Sequence, residues 1–394
     1  MTYKSLIINL LFGATFFNHL HALSFIPQHN RPLLLLFFPV FLIFIHRYKV
    51  RFSYNLILWI CTFFFIAIGS ILYNLFFGEF ELFFPEIINR VLSYLVSFYF
   101  IFIGIIFWQN RKIISDKFYT FFIIVGIIQI YSMLRFPFSN LVTNLFDNYL
   151  IKSFASVGNY ILFFEAEPSY VAFMIIFLMV IFEHRNKSLW VLFAILTFSL
   201  RTTIISVMYY IKKRPFIYGF IIIAFLTVGL SKFQISYSVY SRTVALITFQ
   251  TLDPSSYIRI VKNKAAVQII NDNPIFGVGP GQFSTYYTSK YISNYDTRGF
   301  GELESALVTK DKTIDPYSFI LGLVAELGLF GLIGFTLPFY YLFKHSNRKY
   351  LLLLILFILF WGYPFGKPYI FILFGYIYQE CKSNTVKKYS LGEV

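Results

Sequence analysis

The chain has 394 residues, 58% of them hydrophobic and only 13% charged, with a mean hydropathy of +0.69. A soluble domain carries about 25% charged residues, so the composition excludes an ordinary soluble protein. The formal charge of +15 would suggest nucleic acid in a soluble chain. In a chain this apolar it reads as Lys and Arg gathered on cytoplasmic loops, and nucleic acid is set aside as a partner.

The apolar runs are continuous rather than alternating, which argues against a β-barrel. Helices satisfy their own backbone groups in lipid, so the fold class is an all-α polytopic integral membrane protein. A crossing needs about 20 apolar residues. Spans are expected near 5–26, 32–46, 53–77, 87–109, 117–135, 167–183, 215–231, 318–343, 350–362 and 368–380, with 188–211 ambiguous. The first run lacks a small-residue cleavage site and reads as a span.

Short loops carry Arg47, Lys49 and Arg51; Arg111, Lys112 and Lys117; Arg185 and Lys187; Lys212, Lys213 and Arg214; Lys344, Arg348 and Lys349. By the positive-inside rule these share the cytoplasmic side, and both termini lie there too. Segment 188–211 has basic flanks at both ends, so it is expected to be a short-helix hairpin with its apex near Ser199–Thr203. With it the count is about twelve spans across one membrane domain, 1–394. Two outer segments are long, 136–166 and the main extracytoplasmic loop, 232–317.

In that loop Asp253-Pro254-Ser255-Ser256 signals a helix start. Ile258, Val261, Ala265 and Ile269 recur at helical spacing, and Asn271-Asp272-Asn273-Pro274 ends the run. Arg259 and Lys262 lie one turn apart, off the apolar stripe. They form either a solvated basic side or a face for an anion.

Arg201 lies in an apolar stretch, where a cation costs at least about 2.5–3.5 kcal/mol at mid-helix. It faces a cavity, binds an anion, or pairs with Glu165, Glu167 or Glu326. Glu167 precedes Pro168, a residue suited to a first helical turn. There it either caps the helix or serves as a surface carboxylate that takes a proton from a sugar hydroxyl. Gly277, Gly279 and Gly281 follow a helical run, not a strand, so they are no dinucleotide fingerprint. They make a tight turn, with or without a ligand at its N–H groups. Glu326, two turns into a span, needs a partner, and packing against an arginine is expected. Gly328, Gly331 and Gly334 would let another helix approach. The six histidines show no ligand spacing, so no metal site is expected, and Cys61 and Cys381 offer no CxxC pair.

At these residues the chain resembles the O-antigen polymerase and ligase superfamily of bacterial membrane glycosyltransferases. Glu167-Pro168-Ser169 looks like the polymerases' EPS element, and Leu196-Thr197-Phe198-Ser199-Leu200-Arg201 resembles the LT-x-SR hairpin with one residue inserted. Arg259 with Asn273-Pro274-Ile275-Phe276-Gly277-Val278-Gly279 matches the R…NPxFGVG block, and Glu326 to Gly331 matches its E-x-G-x-x-G end.

The resemblance implies a GT-C-like fold and a polymerase of repeat units on undecaprenyl diphosphate, acting at the outer face of the bacterial inner membrane. Arg201 and Arg259 would hold the diphosphate; the base is Glu167, Asp315 or neither, with Glu167 the first choice for the acceptor hydroxyl. Gly277, Gly279 and Glu326 would be structural. No cofactor is implied, because the leaving group is already good. The implied partners are the lipid-linked donor and acceptor, membrane lipid and a chain-length regulator. Family ligases carry a His nine residues before the final Glu; here that position is Tyr317. This favours polymerase over ligase. A flippase for the same lipid-linked unit is the alternative from another class.

Overall fold

Apolar segments that must satisfy their own hydrogen bonds fold as helices. The computed structural model is helical throughout, with no strand among the described residues. It describes residues 2–17, 33–134, 137, 139–145, 163, 168–183, 185, 187–196, 206, 209, 254–295, 297, 303–305, 308, 316, 318–362 and 368–390.

In chain order the helices are α1 (Tyr3–Ala14), α2 (Phe38–Tyr48, entered through a 3-10 turn from Leu33), α3 (Tyr54–Phe77) and α4 (Phe84–Gln109). Next come α5 (Lys117–Met133), α6 (Ser139–Asn144), α7 (Pro168–Ile181) and α8 (Ser188–Leu196). Then follow α9 (Pro254–Asp272), α10 (Phe283–Tyr286), α11 (Phe319–His345), α12 (Lys349–Gly362) and α13 (Pro368–Ser390).

Three of these, α3, α4 and α11, are long and apolar enough to cross a membrane, and several shorter helices are equally apolar. On α3 the side chains of Phe65, Phe76 and Phe77 are three-quarters exposed. A wall of phenylalanine is unfavourable in water and at home against lipid, so this is a helical membrane protein. The apex expected at 199–203 and the span expected at 215–231 lie outside the described residues. One boundary differs. Helix α13 continues to Ser390, past the expected end of its span at 380, so Cys381 is a buried helical residue.

The described chain forms two compact units. The first comprises residues 1–50, 100–243 and 367–380. Its core is aromatic. Phe12 meets Phe16, Phe107, Phe118, Phe177 and Phe182 at ring-centroid distances of 5.0–5.9 Å. On α7 the ten residues from Val171 to Val180 are all fully buried, as expected of a helix that is apolar all round. Two glycines let α4 and α13 touch backbone to backbone. A Cβ on Gly104 would stand 2.0 Å from the Ile372 carbonyl oxygen, and one on Gly375 would stand 1.9 Å from that of Ile101.

The second unit comprises residues 51–99, 244–366 and 381–394. Here α3 lies on α11. The Trp59 indole donates to the Gly334 carbonyl at 2.6 Å, and Ile66 occupies the space a side chain at Gly334 would need. Helix α9 starts at Pro254 and stops at Asp272, as the capping and breaking residues predict. Of its stripe, Val261, Ala265 and Ile269 are fully buried, joined by Ala266, against Val278, Phe283, Tyr286, Tyr287, Tyr291, Ile292 and Ala325, while Ile258 is partly buried against the same cluster. The segment read as an outer loop therefore has a hydrophobic core of its own.

Candidate functional site

The candidate site is built around a break in α11. At Gly328 the backbone takes φ 66° and ψ −160°, so the helix is interrupted between two apolar halves. A break frees carbonyls and N–H groups that lipid cannot satisfy. The loop after α9 supplies the missing partners. Val278 N donates to the Ala325 carbonyl at 3.0 Å, and Gly279 N donates to the Glu326 carbonyl at 2.9 Å. In return Leu329 N donates to the Pro274 carbonyl at 2.8 Å. From α3, the Ser70 hydroxyl donates to the Phe276 carbonyl at 2.6 Å and lies 3.1 Å from the Glu326 carbonyl. Asn74 donates to the Gly277 carbonyl at 3.0 Å.

This explains the glycines. Gly277 and Gly279 both have positive φ, 64° and 96°. A Cβ at Gly277 would stand 2.4 Å from the Glu326 carbonyl carbon, and one at Gly328 would stand 2.1 Å from the Ile275 oxygen. Gly328 thus admits the loop backbone rather than a neighbouring helix, as its spacing had suggested. Gly334 does admit a helix, α3, while the space beside Gly331 is filled by Leu327 of its own helix. The N–H groups of Val278 and Gly279 are engaged by α11, so this part of the loop acts as a clasp. Its far end is fixed to the start of α4. The Gln282 amide exchanges both hydrogen bonds with the Phe83 backbone, at 3.0 and 3.1 Å.

One residue before Leu327, the Glu326 side chain points into the protein and is fully buried. Arg90 pairs with one carboxylate oxygen at 3.0 Å, and the Tyr94 hydroxyl donates to the other at 3.0 Å. Arg90 and Tyr94 sit one turn apart on α4, so a single helix face presents both. The expected arginine partner is therefore Arg90. Sequence reasoning passed over Arg90 although the signal was there. It is a cation inside an apolar span, as anomalous as Arg201, with a tyrosine four residues on.

Arg259 stands on α9, partly exposed, as does Lys262 one turn on. Neither belongs to the buried stripe. Their helix is moored to the start of α11, where the Ser318 N–H donates to Asn263 Oδ1 at 3.3 Å. The Ser318 hydroxyl caps Leu321 N at 3.3 Å, and Pro316 fills the space beside Gly322. Of the residues expected to carry chemistry, Glu167, Arg201 and Asp315 lie outside the described residues, as does Tyr317. The helix that follows Glu167 does open at Pro168.

Beside the clasp lies a polar cluster. Lys290 pairs with Glu79 at 2.8 Å and Asp272 at 3.4 Å, and the Tyr291 hydroxyl donates to Asp272. The Tyr291 hydrogen bond, then Lys290, holds the Asp272 carboxyl below its usual range. Glu79, then Asp272, raises the Lys290 ammonium. Burial, helped by Asp272, pushes the Tyr291 phenol up. Among the described residues no three His, Cys, Asp or Glu side chains gather as metal ligands. The arrangement can hold the Arg259 and Lys262 cations on a fixed helix, where a guanidinium fork suits phosphate oxygens. The chain matches no protein-family model and no curated protein.

Proposed function

We propose that the chain is a surface-polysaccharide polymerase of the O-antigen type, with about twelve spans and both termini in the cytoplasm. It joins oligosaccharide repeat units carried on undecaprenyl diphosphate at the outer face of the bacterial inner membrane. The acceptor hydroxyl of one unit attacks the anomeric carbon of the growing glycan. The bond from that carbon to the diphosphate oxygen breaks, and the hydroxyl proton passes to a carboxylate, Glu167 or Asp315. Arg201 and Arg259 hold the diphosphate and stabilise its charge as it leaves.

One observation supports this reading beyond the motifs themselves. The 273–281 segment and Glu326–Gly331 are well separated in sequence yet are clasped together at the α11 break, and the helix that leads into the first of them carries Arg259. A set of residues that recurs together in a resembling family is expected to act as one physical element, and the joining of two of its pieces supports that reading.

The test is lengthening of undecaprenyl-diphosphate-linked repeat units by purified protein in lipid. Arg259→Ala and Arg201→Ala should each abolish lengthening while leaving protein levels near normal. Full activity in either variant removes the diphosphate role from that residue. Lipid-linked units that only change leaflet would identify a flippase. Transfer onto a lipid A core would identify a ligase, a reading that Tyr317 disfavours.

A further inference from the structure

In the first unit the C-terminal end of α2 borders an open groove of about 700 Å³, lined by Leu42, Ile43, His46, Arg47 and Lys49. The five are ordered by chemistry. Leu42 and Ile43 are about half exposed and lie on the apolar body of the helix. His46 and Arg47 are exposed one turn further on, and Lys49 follows at the cap. An apolar floor that passes into three basic groups over two turns has the polarity profile of one lipid molecule, acyl chain below and headgroup above.

Two features mark the basic end of this groove. The Arg47 guanidinium lies over the Tyr3 ring at 4.6 Å, while Lys4 lies over Tyr48 at 5.6 Å. A guanidinium held over an aromatic ring retains N–H groups that can bind phosphate oxygens. Lys49 closes the helix in the left-handed conformation, φ 48°. Glycine is the usual residue there, because a side chain in that conformation is strained. The chain keeps a lysine at a position where glycine would be more stable. Among the described residues no carboxylate forms an ion pair with His46, Arg47 or Lys49.

The geometry points to a binding site for an acidic phospholipid. Leu42 and Ile43 take the upper acyl chain, and Arg47, Lys49 and His46 take the phosphate of the headgroup. Charge complementarity commits the groove to an anionic lipid over a zwitterionic one.

The test titrates the full chain with phosphatidylglycerol and with phosphatidylcholine, reading bound lipid by native mass spectrometry and unfolding temperature in parallel. Wild type should prefer phosphatidylglycerol. Each cation removed should weaken that binding about fivefold, so Arg47→Gln/Lys49→Gly should weaken it about twenty-fivefold. Arg111→Gln/Lys112→Gln removes the same charge from another flank, where Arg111 also stacks on an aromatic ring, Trp108. It should leave the preference intact. Lys49→Gly alone should raise the lipid-free unfolding temperature while lowering phosphatidylglycerol affinity, so a folding defect cannot imitate the result. Equal binding of the two lipids by wild type, retained preference in Arg47→Gln/Lys49→Gly, or an equal loss in the Arg111/Lys112 variant would each overturn the site.

Discussion

The two units solve the same membrane problem by different chemistry. In the first, helices meet through phenylalanine rings and through Gly104 and Gly375, and buried polar groups such as Asn9 and Gln129 are scattered singly, each bonded to nearby backbone. In the second, α11 is broken at Gly328, and polar groups collect at the break: Ser70, Asn74, the 274–279 backbone, Arg90, Tyr94 and Glu326. Association in lipid comes from close packing and from hydrogen bonds. Both units use both, but the second concentrates its hydrogen bonds at one break. An uninterrupted helix can be packed by shape alone, whereas an interrupted one must be packed by partner.

The comparison can be broken most sharply at the buried ion pair. Glu326→Ala removes the buried carboxylate that pairs with Arg90 and should cost about 3–5 kcal/mol, read as lost folded protein in detergent and a lower unfolding temperature. Adding Arg90→Met to Glu326→Leu should recover most of that loss, because an apolar pair of similar volume carries no desolvation cost. No recovery would mean the charges themselves, rather than their mutual compensation, hold the break.

The glycines test shape against conformation. Gly375→Ala adds a Cβ against the Ile101 backbone and should cost about 1–3 kcal/mol by overpacking alone. Gly328→Ala adds a similar clash plus a positive-φ strain, so it should cost more, about 2–4 kcal/mol. Equal unfolding temperatures for the two variants would remove the conformational half of the distinction.

Smaller again is Asn74→Ala, which leaves the Gly277 carbonyl without its side-chain donor and should cost about 1–2 kcal/mol. Hydrogen exchange should report the change locally, at Val278 and Gly279, ahead of any global loss.

The smallest effect is electrostatic. The Asp272 carboxyl titrates below its ordinary value in the folded protein, through Tyr291 first and Lys290 after. The stability it contributes is therefore present above about pH 4 and is lost as pH falls through the lower folded value. Asp272→Asn should flatten that acid limb in a pH series of unfolding temperatures. The change will be slight, because the side chain is nearly half exposed and water screens it.

Much of the fold was legible from the order of residues. The spans at 53–77 and 318–343 match α3 and α11 to within two residues at each end, because a long apolar run has one physical outcome in lipid. Helix α9 was bounded by its own capping and breaking residues, and its buried stripe followed from spacing. The site was less legible. Arg259, Gly277, Gly279 and Glu326 were identified individually, but their relations were not. That Glu326 pairs with Arg90, 236 positions earlier, is set by which face of α4 meets α11, and spacing within either helix carries no such information.

By itself, then, the sequence determined that this is a helical membrane protein, where its long helices run and which residues are chemically out of place. Those are local properties of hydropathy, charge and backbone preference. Only the tertiary structure decided that Gly328 is a helix break, that the 273–281 loop is its clasp and that Arg90 and Tyr94 satisfy Glu326. Each of these depends on a partner distant in the chain, and a buried polar group is tolerated in lipid only where such a partner is within reach.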